Sequence, residues 1–464
     1  MRLGPAPLTV SRRSLILGAG AAAALEAGRQ PAHAGGRERP TVVVIGAGIA
    51  GIVAADRLRR AGYAVRILEA RQRLGGRIHT WRGWADAPVD LGASWIHGYA
   101  AGNPITAIAH RAGARLVPSS YDSGRVHIDS RLRRAGVRPH SGRWERIVEE
   151  AQARAVLRPH DQSLAVAVRQ RVAGLHLDAF ERDELDFYLN ANYTTEWGAD
   201  PDSLSARTVD QGKEYGRTGE DAFFPHGYDR IPAYLARRLD VDLGVVVRRV
   251  VLRGRGVRVE TDAGTINARA VVVTVPLGVL KHGGIAFAPH LPQRHDEAIH
   301  RLGMGVLSKT FLRFERPFWP VREDWQEFLG PRHGAWAEWF SLAKAGPPVL
   351  VAFHGGDRAR RIERAEDREV RGEAVRALRS MFGHDTPAPV AITTTRWSRD
   401  RFAHGSYSTN AVGSTRADRV ALGVPVAGRI FFAGEATEPD YSSTVHGAFR
   451  TGRRVARQVA AALG

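Results

Sequence analysis

Residues 41–70 read TVVVIGAGIAGIVAADRLRRAGYAVRILEA. A β-branched apolar run ends in Gly46-Ala47-Gly48-Ile49-Ala50-Gly51, a stretch with helical spacing follows, and a second apolar run closes on Glu69. Strand, glycine turn, helix and strand in that order form the βαβ unit that binds dinucleotides. Gly46 permits the tight turn, Gly48 lets the backbone approach a pyrophosphate, and Gly51 lets the helix lie close on the strand with its first amides facing the negative charge. Glu69 ends the second strand, where a carboxylate can accept hydrogen bonds from both hydroxyls of an adenosine ribose. The predicted fold class is α/β with a Rossmann-type domain.

A glycine triad alone is weak evidence, as Gly18-Ala19-Gly20 shows, since no strand precedes it. The residues after Glu69 are more specific. They run Ala70-Arg71-Gln72-Arg73-Leu74-Gly75-Gly76-Arg77, in which Gly75 and Gly76 expose backbone amides and Arg77 offers a planar fork of donors to pyrophosphate. An NAD-binding unit does not predict this second segment, so the expected cofactor is FAD.

Upstream, Ser11 to Leu17 read SRRSLIL, a twin-arginine pair before a mildly apolar run, and Ala32-His33-Ala34 has the small-x-small form of a cleavage site. Residues 1–34 are therefore expected to be a Tat signal peptide. This predicts a secreted protein, carried folded by the Tat export machinery with its cofactor already inserted. Glu26 and Arg29 interrupt the apolar stretch, which is too short for a stable membrane anchor.

The 464 residues are 44% hydrophobic and 25% charged, ordinary values for a globular protein of more than one core. The formal net charge of +19 is almost entirely arginine, because lysine occurs only at positions 213, 281, 309 and 344. These arginines are scattered rather than clustered, so no nucleic-acid partner is expected. There is no cysteine, which removes disulfides, thiolate metal sites and a thioether bond to a cofactor. FAD is expected to be held noncovalently, and no metal is expected.

With GAGIAG, Glu69, LGGR and Asp90-Leu91-Gly92-Ala93-Ser94-Trp95-Ile96-His97-Gly98 in place, the chain resembles the flavin-containing amine oxidases, closest to the polyamine oxidase branch. Residues 275–292 (VPLGVLKHGGIAFAPHLP), 301–319 (RLGMGVLSKTFLRFERPFW) and 431–456 (FFAGEATEPDYSSTVHGAFRTGRRVA) extend the resemblance, while 110–225 and 330–395 match loosely. The resemblance implies a discontinuous FAD-binding Rossmann-type (GR2-like) domain over residues 35–110, 225–290 and 400–464. An interleaved α+β substrate domain would occupy 111–224 and 291–399.

For the cofactor, the resemblance adds Arg71, Gly92, Ala93, Ser94, Val250, Trp397, Gly434, Glu435, Thr444 and Val445 to Gly46, Gly48, Gly51, Glu69, Gly75, Gly76 and Arg77. Val250 is nominated as a backbone contact to adenine in the strand VVVRRVVL (245–252), and Thr444-Val445 as the start of a last helix whose amides face the flavin. For chemistry it points to Lys309, His97, Tyr407 and Thr444. Only four of 67 basic residues are lysine, and a buried lysine can lose its proton whereas arginine cannot. In the family such a lysine holds a water near the flavin. His97, in WIHG, is similar to a histidine beside the substrate of polyamine oxidases, while Trp95, Trp397, Tyr407 and Thr444 would wall the site.

Residues 181–202 hold Glu181, Asp183, Glu184, Asp186, Glu196, Asp200 and Asp202 against Arg182 alone. A cationic substrate would be drawn there, with Glu196 as a binding carboxylate, although the 181–186 portion also reads as a solvated helix face. The expected function is an amine oxidase transferring hydride from a neutral amine, with O2 as the second substrate, H2O2 and an aldehyde as products, and spermine or spermidine as the amine. An L-amino-acid oxidase, a monoamine oxidase and a flavin-dependent desaturase or isomerase are the alternatives. Histone demethylation is not expected of an exported protein.

Overall fold

A computed structural model describes residues 41–100, 102–129, 142–212, 221–330 and 334–464, all within the unit Arg39–Gly464. The expected signal peptide lies outside the described residues. Val42–Ile45, buried along its whole length, is the middle of a parallel five-stranded sheet. Val65–Glu69 and Val241–Leu243 lie to one side and Ala270–Val273 and Ile430–Phe432 to the other. Three separated stretches of chain thus supply one sheet. Continuous burial is what a parallel strand covered on both faces requires.

One face is covered by the first helix, Ile49–Arg60, and the last, Val445–Leu463. Ala50, Ala54 and Leu58 pack with Val455, Val459 and Leu463. A side chain at Gly452 would lie 2.5 Å from the Ala50 carbonyl, so the two helices approach at backbone distance. The other face packs on a four-stranded sheet that contains Val247–Arg253 and Gly256–Thr261.

A second, mixed sheet has six strands in the order Ala391–Thr394, Leu307–Arg313, Val349–Gly355, Glu338–Ser341, Trp325–Leu329 and Gly124–Ile128. Its period-two alternation divides the side chains between two cores. Leu312, Trp339, Leu350 and Ala352 face the helices Gly356–Arg364 and Asp367–Phe382. Phe311, Trp325, Phe340, Val351 and Phe353 face Trp95. The short strands Trp95–Ile96, Asp221–Phe223 and Val117–Ser119 pair with one another. Among the described residues no helix is long and apolar enough to cross a membrane.

Candidate active site

The glycine turn sits at the carboxyl end of the central strand, where open α/β sheets bind ligands. Gly46 has φ +103°, and a Cβ there would lie 2.7 Å from Thr274 Oγ1. At Gly51 a Cβ would lie 2.0 Å from the Gly46 carbonyl, so that glycine is required by packing. Gly48 is different. As N-cap of the first helix it has an ordinary φ of −75°, and a Cβ would meet nothing within 4 Å. Neither conformation nor packing demands glycine at this position, whereas close approach of a phosphate to a helix N-terminus does. The cradle therefore fits a dinucleotide.

Gly75 and Gly76, with φ of +95° and +59°, are held against the turn by Gly75 N donating to Ala47 O at 2.9 Å. Glu69, 4% exposed, accepts from Ala47 N at 2.8 Å and from Arg71 N at 2.9 Å. Beside Glu69 opens a crevice of about 530 Å³ lined by Arg71, Arg73, Gly244, Val246, Arg401 and Phe402. Gly92 and Ala93 lie on the Arg77 backbone: Ala93 N donates to Arg77 O at 3.1 Å, and a Cβ on Gly92 would come within 1.8 Å of the same oxygen.

Several expected contacts are placed differently. Val250 does not reach the crevice: it is fully buried in the middle of Val247–Arg253, paired with Val259 on one side and Phe287 on the other, while Val246 lines the crevice. Arg77 and Glu435 face each other. Arg77 Nη1 donates to Glu435 Oε1 at 2.8 Å and to Ser406 O at 3.0 Å. The same carboxylate accepts from Ser408 Oγ at 2.5 Å and Ser443 N at 3.0 Å. Burial opposes its charge, but Arg77 and Arg419 outweigh burial and hold the carboxyl below its usual range. Glu435 is thus a tie between the glycine loops and the C-terminal segment, leaving Gly434, at φ +133°, as the backbone position there.

Thr444 is the N-cap of the last helix. Its hydroxyl accepts from Gly447 N at 2.9 Å and donates to Tyr441 O at 2.8 Å, so it is engaged in folding rather than available to a reacting group. Val445, the first helical residue, packs with the apolar cluster around Ile49 and Ile96. Trp397 donates its indole N–H to Leu91 O at 2.8 Å and packs near Gly92, on the cofactor side rather than among the rings around Trp95.

Those rings pack into one aromatic cluster. Trp95 lies 5.0 Å from Phe340, 5.9 Å from Phe353 and 6.3 Å from Trp325, and Tyr121 stacks on Trp325 at 5.1 Å. Lys309 Nζ stands 5.3 Å from the Trp95 ring centre and donates to Gly92 O and Ser94 Oγ at 2.6 Å each and to Asp90 O at 3.2 Å. Lys309 is 5% exposed. Burial pushes its ammonium below the usual lysine range, against the opposing charge of Asp90, whose own carboxyl burial pushes upward. Asp90 is anchored by Thr80 Oγ1 at 2.5 Å and by Tyr228 N at 3.0 Å. A cavity of about 30 Å³, lined mostly by apolar side chains including Phe311 and Phe340, adjoins Lys309 and Trp95.

His97 places Nδ1 2.7 Å from Asp221 Oδ2, and Asp221 Oδ1 accepts from Gly98 N at 3.0 Å. The carboxylate is buried while the imidazole is half exposed. Tyr407 OH donates to the Glu196 carbonyl at 2.8 Å, at the end of the π-helix Asn190–Thr195. The structure thus brings Tyr407 and Glu196 together. By contrast Glu181 caps the helix Ala179–Leu189 and pairs with Arg143, so that part of the acidic stretch stabilises a helix. Asp90, Tyr121, Asp221, Trp325 and Glu338 were not singled out from sequence, and of these only Asp90 lay in a motif.

A family model described as flavin containing amine oxidoreductase matches residues 49–460. Polyamine oxidase 2 of Arabidopsis thaliana is 37% identical over 435 residues, 89% of this chain and 86% of that protein. Lysine-specific histone demethylase 1 homolog 1 of Oryza sativa subsp. japonica is 36% identical over 449 residues, 90% of this chain and 52% of that protein. A solved structure of putrescine oxidase bound to putrescine shares the fold, with a TM-score of 0.75 at 20% identity over 91% of this chain and 99% of that one.

Proposed function

Because the chain belongs to the flavin containing amine oxidoreductases, we propose that it holds FAD noncovalently and oxidises di- and polyamines with O2. The observation that carries this reading is that Lys309 meets the segment 90–95, through Asp90, Gly92, Ser94 and the Trp95 ring, whose Gly92 and Ala93 rest on the Arg77 backbone of the glycine-rich segment. The absence of cysteine supports a noncovalent flavin. A bound flavin would supply the two-electron acceptor for a hydride from the carbon beside nitrogen, with O2 as the final acceptor giving H2O2, and water would split the resulting imine to an aldehyde and an amine.

The chain's own residues must deliver the amine unprotonated, since only a nitrogen lone pair can assist hydride departure. A free alkylamine resembles lysine, with a pKa of about 10.4, so the pocket has to take up a proton. His97, held by the Asp221 carboxylate at its Nδ1, is the group we assign to take up that proton. Trp95 and Tyr407 exclude water and offer ring faces to the cation before it is deprotonated. Glu196 is the rim carboxylate that first meets it. Three acceptors saturate the Lys309 ammonium, so a water held by Lys309 has to replace one of them, and Ser94 Oγ is the one able to turn away.

Similarity to polyamine oxidases supports the substrate class, and the Arg12-Arg13 motif supports export in a folded state. The deciding experiment is anaerobic bleaching of the flavin and aerobic H2O2 release with spermine, spermidine, putrescine, tyramine and L-amino acids. Bleaching by the polyamines is expected. Response to amino acids alone would replace the substrate, and no response to any amine would refute the oxidase reading.

A further inference from the structure

Scattered along the sequence, many of the arginines are gathered by the fold. The helices Ile49–Arg60 and Val445–Leu463 run side by side: a Cβ on Gly452 would lie 2.5 Å from Ala50 O, and farther along Tyr63 donates its hydroxyl to Ala460 O at 3.4 Å. The short helix Arg230–Ala236 packs on the first of them, and Ala236 and Leu239 share one apolar cluster with Leu58, Tyr63, Val459 and Leu463. Residues 49–60, 230–238 and 445–463 hold ten arginines against a single carboxylate, Asp56. The helical layer over the six-stranded sheet is built differently, since residues 356–382 hold eight arginines and six carboxylates. Pairs such as Arg361 with Glu373 and Arg368 with Glu366 form there.

Arg57, Arg59, Arg237, Arg238, Arg453 and Arg457 are all exposed. Among the described residues no carboxylate pairs with any of them, whereas Asp56 pairs with Arg60, Glu438 with Arg450 and Asp242 with Arg66. Exposed Asp240 opposes them only in part. A cation near a helix C-terminus is favourable, but none of the arginines of Val445–Leu463 lies in its last turn. Crowded like charges repel one another until an anion comes to them.

We propose that this helical layer docks on an anionic phospholipid bilayer through Arg57, Arg59, Arg237, Arg238, Arg453 and Arg457. Guanidinium groups meet phosphate with a planar fork of donors. Three helices laid side by side spread that charge across about 20 Å, a breadth suited to a surface of headgroups. The Tyr234 and Phe449 rings lie under Arg237 and Arg453, at 4.0 and 6.0 Å, so the layer offers no bare ring on which the bases of a single strand would stack. None of the large apolar side chains exposed among the described residues lies on these helices. Attachment is therefore electrostatic, reversible and without insertion. The proposal is independent of the oxidase reading and of which amine reacts.

The test sediments the holoenzyme with vesicles of phosphatidylcholine alone and of phosphatidylcholine mixed with phosphatidylglycerol, at low and at raised salt. Wild type should bind only the mixed vesicles, and salt should release it. A quadruple variant, Arg57→Gln with Arg59→Gln, Arg238→Gln and Arg457→Gln, should lose about fivefold in binding per arginine. A variant of equal net charge in the other layer, Arg364→Gln with Arg368→Gln, Arg376→Gln and Arg379→Gln, should bind like wild type. Both should keep the flavin content and activity of wild type, and if the first does not fold, Arg57→Gln with Arg59→Gln and Arg238→Gln with Arg457→Gln are read as separate pairs. Equal losses in the two layers would assign binding to net charge alone and overturn the proposal. So would binding that ignores lipid charge, or retention by duplex DNA but not by mixed vesicles.

Discussion

Gly48→Ala and Gly51→Ala separate the two reasons for glycine in the cofactor turn. At Gly51 a Cβ would sit 2.0 Å from the Gly46 carbonyl and 2.9 Å from Thr274 Oγ1. The nearest atom is backbone and cannot rotate away, so the helix Ile49–Arg60 has to move off the sheet. Overpacking of this kind costs about 1–3 kcal/mol, against which alanine recovers about 1 kcal/mol of helix propensity, leaving a net loss of up to about 2 kcal/mol. At Gly48 a Cβ meets nothing within 4 Å and φ is −75°. The fold loses only the N-cap preference of glycine over alanine, about 1 kcal/mol, but the methyl group stands where a phosphate must approach the helix amides. Apoprotein thermal unfolding and flavin titration monitored by the visible spectrum read the two effects separately. Gly51→Ala should lower both apoprotein stability and flavin affinity. Gly48→Ala should cost the apoprotein no more than about 1 kcal/mol and weaken flavin binding by tenfold or more, the equivalent of about 1.4 kcal/mol. A Gly48→Ala protein with wild-type flavin affinity would refute the assignment of this turn to the pyrophosphate.

Lys309→Met should keep the bound yellow flavin and slow its reduction or reoxidation by about a hundredfold; stopped-flow traces unchanged in both half-reactions would remove Lys309 from the chemistry. Asp221→Asn should lower kcat/KM by about tenfold by releasing His97 from its orienting carboxylate, and should have no further effect on a His97→Ala background; additive losses would show that the pair does not act as a unit. Replacing Arg12-Arg13 by two lysines should abolish export of folded protein, measured by cell fractionation and N-terminal sequencing, and undiminished export would refute the Tat reading.

The cofactor turn was readable because geometry forces its residue types: a positive φ at Gly46 and a contact of 2.0 Å at Gly51 admit nothing but glycine. Lys309 was nominated because it stands at the lysine position of the family the chain resembles, in a chain with only four lysines, and the structure buries it beside Trp95. Val250 was hard to place because VVVRRVVL is nearly all valine and arginine, so its valines cannot be told apart by type, and the register shift between Val247 and Arg249 leaves no mark in the sequence. The hydroxyl of Thr444 carried a local signal, a β-branched hydroxyl residue immediately before a helical stretch, and a cap was its simplest use. Asp221 and Glu338 carried none. Asp221 meets His97 across 124 positions of chain, and Glu338 shares the Lys309 face of the sheet only through strand pairing.

A formal net charge of +19 argues against a cationic substrate only if charge acts at long range. The arginines of the cofactor segment do not present bare charge, since Arg71 pairs with Asp400 and Arg77 with Glu435, so the excess of 19 lies on arginines elsewhere. What remains exposed is screened over about 8 Å at physiological ionic strength. Asp221 is buried, and in a desolvated site a carboxylate acts on a bound cation with far less screening. If the substrate is a polyamine as proposed, the scattered arginines would slow its approach, and carboxylates near Trp95 and Lys309 would decide whether it stays. On that reading the sign of the whole molecule has little bearing on selectivity, which local groups in a desolvated site would set.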